Sequence, residues 1–186
     1  KVYSFYSDTD SCYVTMSGLV LNFFSDKSKE KVLDLIDKIG TEKIEPAIDN
    51  SMVRLANYTN AFEKKIEFKR EVIADKGVWV AKKRYALNVL DDEGLRLTKP
   101  KLKVMGLEIV RSSTPGSIRE ALREAVRLVL TSDEENLQKY IEDVKKSFNE
   151  MSPEDIAFPR GCNNLVKYNS ESDIYTKGTP IHVRGS

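Results

Sequence analysis

The spacing of apolar residues switches from strands to helices near Arg111, and that switch, the natural domain boundary, constrains the fold more than any other feature. Val78 to Leu90 and Leu95 to Ile109 read as two strands joined by Asp91-Asp92-Glu93-Gly94, with Gly94 supplying a turn. Past Arg111 the spacing is helical: Ile118, Ala121, Leu122, Ala125, Leu128 and Val129 share one face, and Leu137, Ile141, Val144 and Phe148 share another. Ser113-Thr114-Pro115 predicts the start of the first helix, with Thr114 as N-cap and Pro115 at the first helical position. The second helix is predicted from Asp133, and short irregular segments follow Met151. The expected organisation is α+β, with one domain over 1–110 and a mainly helical one over 111–186.

Upstream, Val2 to Tyr6 and Cys12 to Met16 are β-prone arms on either side of Ser7-Asp8-Thr9-Asp10-Ser11, which predicts a hairpin with an acidic tip. Between Ser28 and Tyr58 apolar residues recur every three or four positions, and Pro46 predicts a break into two helices. Ile66 to Ala74 alternates and reads as a strand, ended by Lys76-Gly77.

At 186 residues, with 40% hydrophobic and 32% charged side chains, the chain can bury a sizeable core. The net charge of +1 conceals a gradient. Residues 76–111 hold nine Lys/Arg against four Asp/Glu, whereas 112–155 hold six against ten. Cys12, Cys162 and His182 have no zinc spacing, so free thiols in a reducing compartment are expected. The apolar runs fall far short of the roughly 20 residues of a membrane helix. The chain opens on Lys1 without a signal-peptide pattern, which leads to the expectation of an excised or processed piece.

Asp8 and Asp10, read as positions i and i+2 of an extended chain, would lie on one side roughly 7 Å apart. Such carboxylates repel unless a cation joins them, and hard oxygen ligands suit Mg²⁺, usually completed by water and substrate phosphates. A bare Asp-x-Asp is more often a solvated turn. The longer string Tyr6-Ser7-Asp8-Thr9-Asp10-Ser11 resembles motif C of family B DNA polymerases, with Ser7 where that family usually has Gly.

Further matches follow in the same order. Lys82-Lys83-Arg84-Tyr85 resembles the family's Lys-Lys-x-Tyr motif: adjacent cations on a strand edge invite phosphate, and a tyrosine can pack against sugar or base. Lys69-Arg70-Glu71-Val72-Ile73-Ala74 resembles the segment that carries a palm glutamate in T-even-type phage polymerases, which puts Glu71 at that position. Pro100 to Glu108 and Arg111-Ser112-Ser113-Thr114-Pro115 resemble the palm-to-thumb junction. Asn163 to Tyr168 and Pro180 to Gly185 resemble thumb segments that grip duplex DNA. The glycine-rich loop of the phage proteins is reduced here to Asp75-Lys76-Gly77-Val78.

The resemblance implies an antiparallel palm sheet with flanking helices over 1–110 and a partial thumb over 111–186. It implies two-metal nucleotidyl transfer, with two Mg²⁺ ions, by the complete enzyme, the reaction of a DNA-directed DNA polymerase. Asp10 and Asp8 are then metal ligands and Glu71 a more distant catalytic helper. Lys82, Lys83, Tyr85, Arg111, Ser112, Ser113, Asn164, Lys167, Tyr168, His182 and Arg184 become DNA contacts. The implied partners are primer-template DNA, a deoxynucleoside triphosphate, and an N-terminal polymerase chain carrying motifs A and B. Without those motifs these residues are expected to bind DNA weakly and not to polymerise. An exposed sheet edge would favour self-association, and the implied location is the host-cell cytoplasm, with no membrane. Two other classes compete: a non-catalytic duplex-binding module or split-polymerase subunit, and a sugar-nucleotide transferase using Asp8-x-Asp10 for its metal. The transferase lacks a donor-binding fold ahead of the motif.

Overall fold

The computed structural model describes residues 4–168 and 178–184, which form an α+β structure. Residues 2 and 3 of the predicted first arm and Gly185 of the last motif lie outside the described residues. The chain divides into two compact units, Lys1–Lys103 and Val104–Ser186.

The first unit opens with the expected hairpin, β1 (Ser4–Asp8) and β2 (Ser11–Val14), paired antiparallel with Asp8 opposite Ser11. Thr9 and Asp10 are therefore its two-residue turn. Asp10 does not lie in extended chain beyond Asp8, which corrects the same-side reading of the two carboxylates.

A short helix the apolar pattern did not predict, α1 (Ser17–Phe23), comes next and leaves Leu21 and Phe23 exposed. Two longer helices then follow, as the periodicity predicts: α2 (Lys29–Ile39) and α3 (Glu45–Tyr58). Pro46 sits in the first turn of α3, where its missing N–H costs nothing, and the chain bridges the two helices through a π-helical turn at Gly40–Ile44.

The rest of the unit is an antiparallel meander in the order β3-β4-β5: β3 (Val72–Ala81), β4 (Arg84–Asp92) and β5 (Leu95–Met105). Three strand expectations change here. The segment 66–71 is not a strand, because its polar groups turn toward the helices: the Arg70 N–H donates to Glu45 Oε1 at 2.8 Å. Lys76-Gly77 lies inside β3 rather than ending it. Lys82 and Lys83 form the turn between β3 and β4 rather than a strand edge, since Ala81 pairs with Arg84. Glu93 (φ 53°) and Gly94 (φ 89°) both take left-handed conformations between β4 and β5, the requirement of a two-residue turn that follows the sheet twist.

Gly77 is retained for packing. A Cβ there would approach the Trp79 ring to 2.6 Å and Leu87 Cδ2 to 2.7 Å, because Trp79, two residues on and on the same face, leans over it. Gly77→Ala is expected to cost about 1–3 kcal/mol and to shift the emission of the chain's single tryptophan, both measurable in one fluorescence-monitored denaturation. Unchanged emission and stability would place the ring elsewhere.

Ala86 to Asp91 of β4 are all buried, as befits the central strand. Asp91 is 0% exposed. Arg70 Nη1 and Arg96 Nη1 each donate to one of its oxygens, and the Gly94 N–H donates at 3.0 Å, closing the β4–β5 turn. The same guanidinium groups reach α2: Arg70 Nε to Asp37 Oδ1 at 2.8 Å and Arg96 Nη2 to Asp34 Oδ1 at 3.1 Å. Lys29 of α2 adds a 2.8 Å pair with Asp75 of β3. Charge pairs thus fasten α2 to the sheet.

In the second unit a 3₁₀ turn (Glu108–Val110) leads into α4 (Gly116–Thr131), against which α5 (Glu134–Glu150) and the one-turn α6 (Pro153–Ile156) pack. Asp133 caps α5, accepting from the Asn136 N–H at 2.9 Å. The start of α4 is corrected: Pro115 is its N-cap and Thr114 makes no cap bond. Thr114 is buried, and its hydroxyl donates back to the Glu108 carbonyl at 2.7 Å. That bond satisfies the 3₁₀ turn in place of the helix end.

Candidate functional site

The two most specific motifs meet in the first unit. Aromatic residues make the joint: Phe5 packs edge-on to Trp79 at 4.7 Å, Tyr13 meets Trp79 and Tyr85 at 5.4 Å each, and Trp79 stacks on Tyr85 at 5.9 Å. Alternation explains this, because Trp79 and Tyr85 are cross-strand partners and so present their rings on one face. The β1–β2 hairpin lies against that face.

Polar contacts fix the register of the joint. Lys83 Nζ lies 3.0 Å from Asp8 Oδ2, the Lys83 N–H donates to the Tyr6 hydroxyl at 2.9 Å, and the Tyr13 hydroxyl donates to that of Tyr85 at 2.7 Å. Lys83 adopts φ 61°, a conformation in which glycine is the low-cost residue. A lysine there accepts backbone strain to deliver its ammonium group to Asp8.

Asp8 and Asp10 have different surroundings. Both Asp8 oxygens are engaged, Oδ2 by Lys83 and Oδ1 by the Thr9 N–H at 2.9 Å. The Lys83 hydrogen bond first, and that of Thr9 next, hold the Asp8 carboxyl below the usual carboxylate range, while Asp8 raises the Lys83 ammonium in return. Asp10 is exposed at the turn, and among the described residues its carboxylate accepts no hydrogen bond and forms no ion pair. Asp10 and Glu71 line the same cleft, about 620 Å³, between the hairpin, the helices α1 to α3 and the sheet. Glu71 stands just ahead of β3 and pairs with Lys103 Nζ of β5.

Among the described residues no three His, Cys, Asp or Glu side chains group closely enough to enclose a metal. Mg²⁺ does not require such a cage, since one or two carboxylates with water and phosphate oxygens suffice. The carboxylate of Asp10 is exposed, and that of Asp8 is paired with Lys83.

Lys82 is exposed at the turn beside Lys83. In the second unit Arg111, Ser112 and Ser113 are exposed in the turn ahead of α4, with Arg111 3.8 Å from Glu108. Asn164 (φ 54°) immediately precedes the 3₁₀ turn Leu165–Tyr168, which carries Lys167 and Tyr168, with Lys167 Nζ 5.9 Å from the Tyr168 ring centre. His182 and Arg184 lie on the one-turn helix α7 (Ile181–Arg184).

Tyr6, Tyr13 and Trp79, which carry the joint, and Asp91, which anchors the sheet, were not singled out from the sequence. Aromatic residues at Phe5, Tyr6 and Tyr13 on both hairpin arms were the available signal for the first group. For Asp91 it was an acid directly after the apolar pair Val89-Leu90.

No family model matches the chain. It is 37% identical over 188 residues to the DNA-directed DNA polymerase of Enterobacteria phage T4, covering 96% of this chain and 21% of that protein. It is also 37% identical over 195 residues to the DNA-directed DNA polymerase of Escherichia phage RB69, covering all of this chain and 22% of that protein. The chain is related to the T-even-type phage DNA polymerases. It spans about one fifth of the length of these curated relatives. The relation runs through both the acidic hairpin and the Lys-Lys-x-Tyr turn, and so includes the joint between them. No helix among the described residues is long and apolar enough to cross a membrane.

Proposed function

We propose that this chain is the palm, from motif C onward, and part of the thumb of a replicative DNA polymerase, binding primer-template DNA and contributing one metal carboxylate to nucleotidyl transfer. The observation that carries this reading is the joint itself. A free acid at the hairpin tip and a basic turn are held together by Asp8–Lys83 and Tyr13–Tyr85, so that metal chemistry and phosphate binding adjoin. The first unit corresponds to the palm and the second to the thumb.

In this reading Asp10 would hold Mg²⁺, which when bound stabilises the attacking and leaving oxygens of an in-line displacement. Asp8 positions Lys83, and Glu71 closes the far side of the cleft. Lys82, Lys83 and Tyr85 take the backbone of the primer-template near the chemistry. In the second unit Arg111, Ser112, Ser113, Asn164, Lys167, Tyr168, His182 and Arg184 contact the duplex. A polypeptide carrying motifs A and B supplies the second metal carboxylate and the contacts to the deoxynucleoside triphosphate, and the assembly works in the host-cell cytoplasm. Lys99, Pro100 and Lys101 on β5 are residues that discourage edge pairing, so self-association through a sheet edge would use β3, the other edge of the three-stranded sheet.

Mixing the chain with such a polypeptide should yield primer extension that neither part performs alone. Extension by the chain alone would overturn the division of labour. Duplex binding without extension in any mixture would favour a non-catalytic DNA-binding module. For the basic turn, Lys83→Ala should reduce the slope of log binding constant against log salt by about one. An unchanged slope removes Lys83 from the phosphate contacts.

A further inference from the structure

The hydroxyl of Tyr13 donates to that of Tyr85 at 2.7 Å, across 72 residues of sequence. Both rings are half-buried and held by Trp79, so neither oxygen is free to drift. Burial first, and the bond to Tyr85 next, push the Tyr13 phenol well above its ordinary value, so it stays protonated and remains a donor. A phenol offers one proton and two lone pairs. With Tyr13 donating into Tyr85, one lone pair of the Tyr85 oxygen is filled and its proton is turned away from Tyr13, where it meets no acceptor among the described residues.

We propose that Tyr13 is a positioning residue: its hydroxyl fixes Tyr85 as a donor aimed at an anionic phosphodiester oxygen of the bound nucleic acid. This rests on the reading of the chain as a DNA-binding polymerase segment. Two effects combine. The bond from Tyr13 removes the rotamers in which Tyr85 would turn its lone pairs outward, toward which a phosphate is repelled. A hydroxyl that accepts one hydrogen bond is also polarised into a better donor for the next. Tyr13 touches no DNA and acts only through Tyr85. Because its hydroxyl is neutral, it changes intrinsic affinity and leaves the number of neutralised phosphates alone.

The test is a double-mutant cycle on the full chain, with binding of a primer-template duplex read by fluorescence anisotropy over a salt series. Tyr85→Phe is expected to weaken binding about tenfold and Tyr13→Phe about three- to tenfold, the range for a hydrogen bond to a charged acceptor. The salt slope should be unchanged in both, and the double variant should be no weaker than Tyr85→Phe alone. That non-additivity is the signature of action through Tyr85. A purely structural role predicts something else: additive losses that follow a drop in melting temperature. Additive losses, or a Tyr13→Phe variant that binds like wild type while Tyr85→Phe does not, overturn the proposal and leave the DNA-binding reading standing. A wild-type chain that binds no duplex overturns that reading and the proposal with it.

Discussion

Replacing Asp10 with alanine is expected to lower primer extension by about a thousandfold or more once the chain is combined with a polypeptide supplying motifs A and B. Loss of a metal carboxylate forfeits several kcal/mol of charge stabilisation in the transition state, and each ~1.4 kcal/mol is a factor of ten in rate. The expectation rests on the contrast within the hairpin: Asp10 is exposed with an unengaged carboxylate, while both Asp8 oxygens are held. Asp8→Ala should therefore act differently. It releases Lys83, so primer-template binding should weaken along with rate, whereas Asp10→Ala should leave duplex affinity nearly intact. Single-turnover extension and anisotropy binding on the same preparations separate the two. Equal rates for Asp10→Ala and wild type would remove Asp10 from the chemistry.

The second large effect is on stability. Asp91→Ala should destabilise the first unit by about 3–5 kcal/mol, because it leaves two guanidinium groups, Arg70 and Arg96, facing a buried site without their shared carboxylate. It also takes the acceptor from the Gly94 N–H that closes the β4–β5 turn. Urea unfolding followed through Trp79, the chain's single tryptophan, reports on this unit. A change below about 1 kcal/mol would be far less than breaking a buried pair costs and would sink the account.

The pH dependence follows from the same contacts. Burial raises the Asp91 carboxyl, but the Arg70 hydrogen bond, the Gly94 N–H and the charges of Arg70 and Arg96 outweigh it and hold the group below its ordinary value. The resulting stability is fully present above about pH 4, where an unfolded aspartate is ionised. It is lost as pH falls through the lower folded value. Asp91→Asn should flatten that acid limb of the wild-type stability profile.

Much of this structure was legible because it is local. The hairpin, α2 and α3, the Gly94 turn between β4 and β5, and α4 and α5 follow from side-chain period and turn residues that act over a few positions, whereas the turn at Lys82-Lys83 splits what reads as one strand from Val78 to Leu90. The misplacements share one cause, competition from a distant partner. The 66–71 segment alternates like a strand, yet Glu45 and Asp37 take its Arg70 groups away from any strand neighbour. Thr114 has the chemistry of an N-cap, yet the Glu108 carbonyl claims its hydroxyl. Lys76-Gly77 looks like punctuation, yet the glycine is there to admit the Trp79 ring.

For the candidate site, the sequence by itself determined the chemical inventory: two carboxylates in one hairpin, a glutamate, and a Lys-Lys-x-Tyr string. Their order along the chain was enough to suggest the polymerase relation. Tertiary structure decided which of them meet and in what state. Asp8 and Asp10 are equivalent as letters, but they differ once Lys83, 75 residues later in the chain, reaches one and leaves the other free. The Tyr13–Tyr85 pair and the buried Asp91 network are likewise products of packing. The physical reason is range. Period and turn chemistry act between neighbours, whereas a hydrogen bond or ion pair is set by distance in space, which a linear sequence does not record.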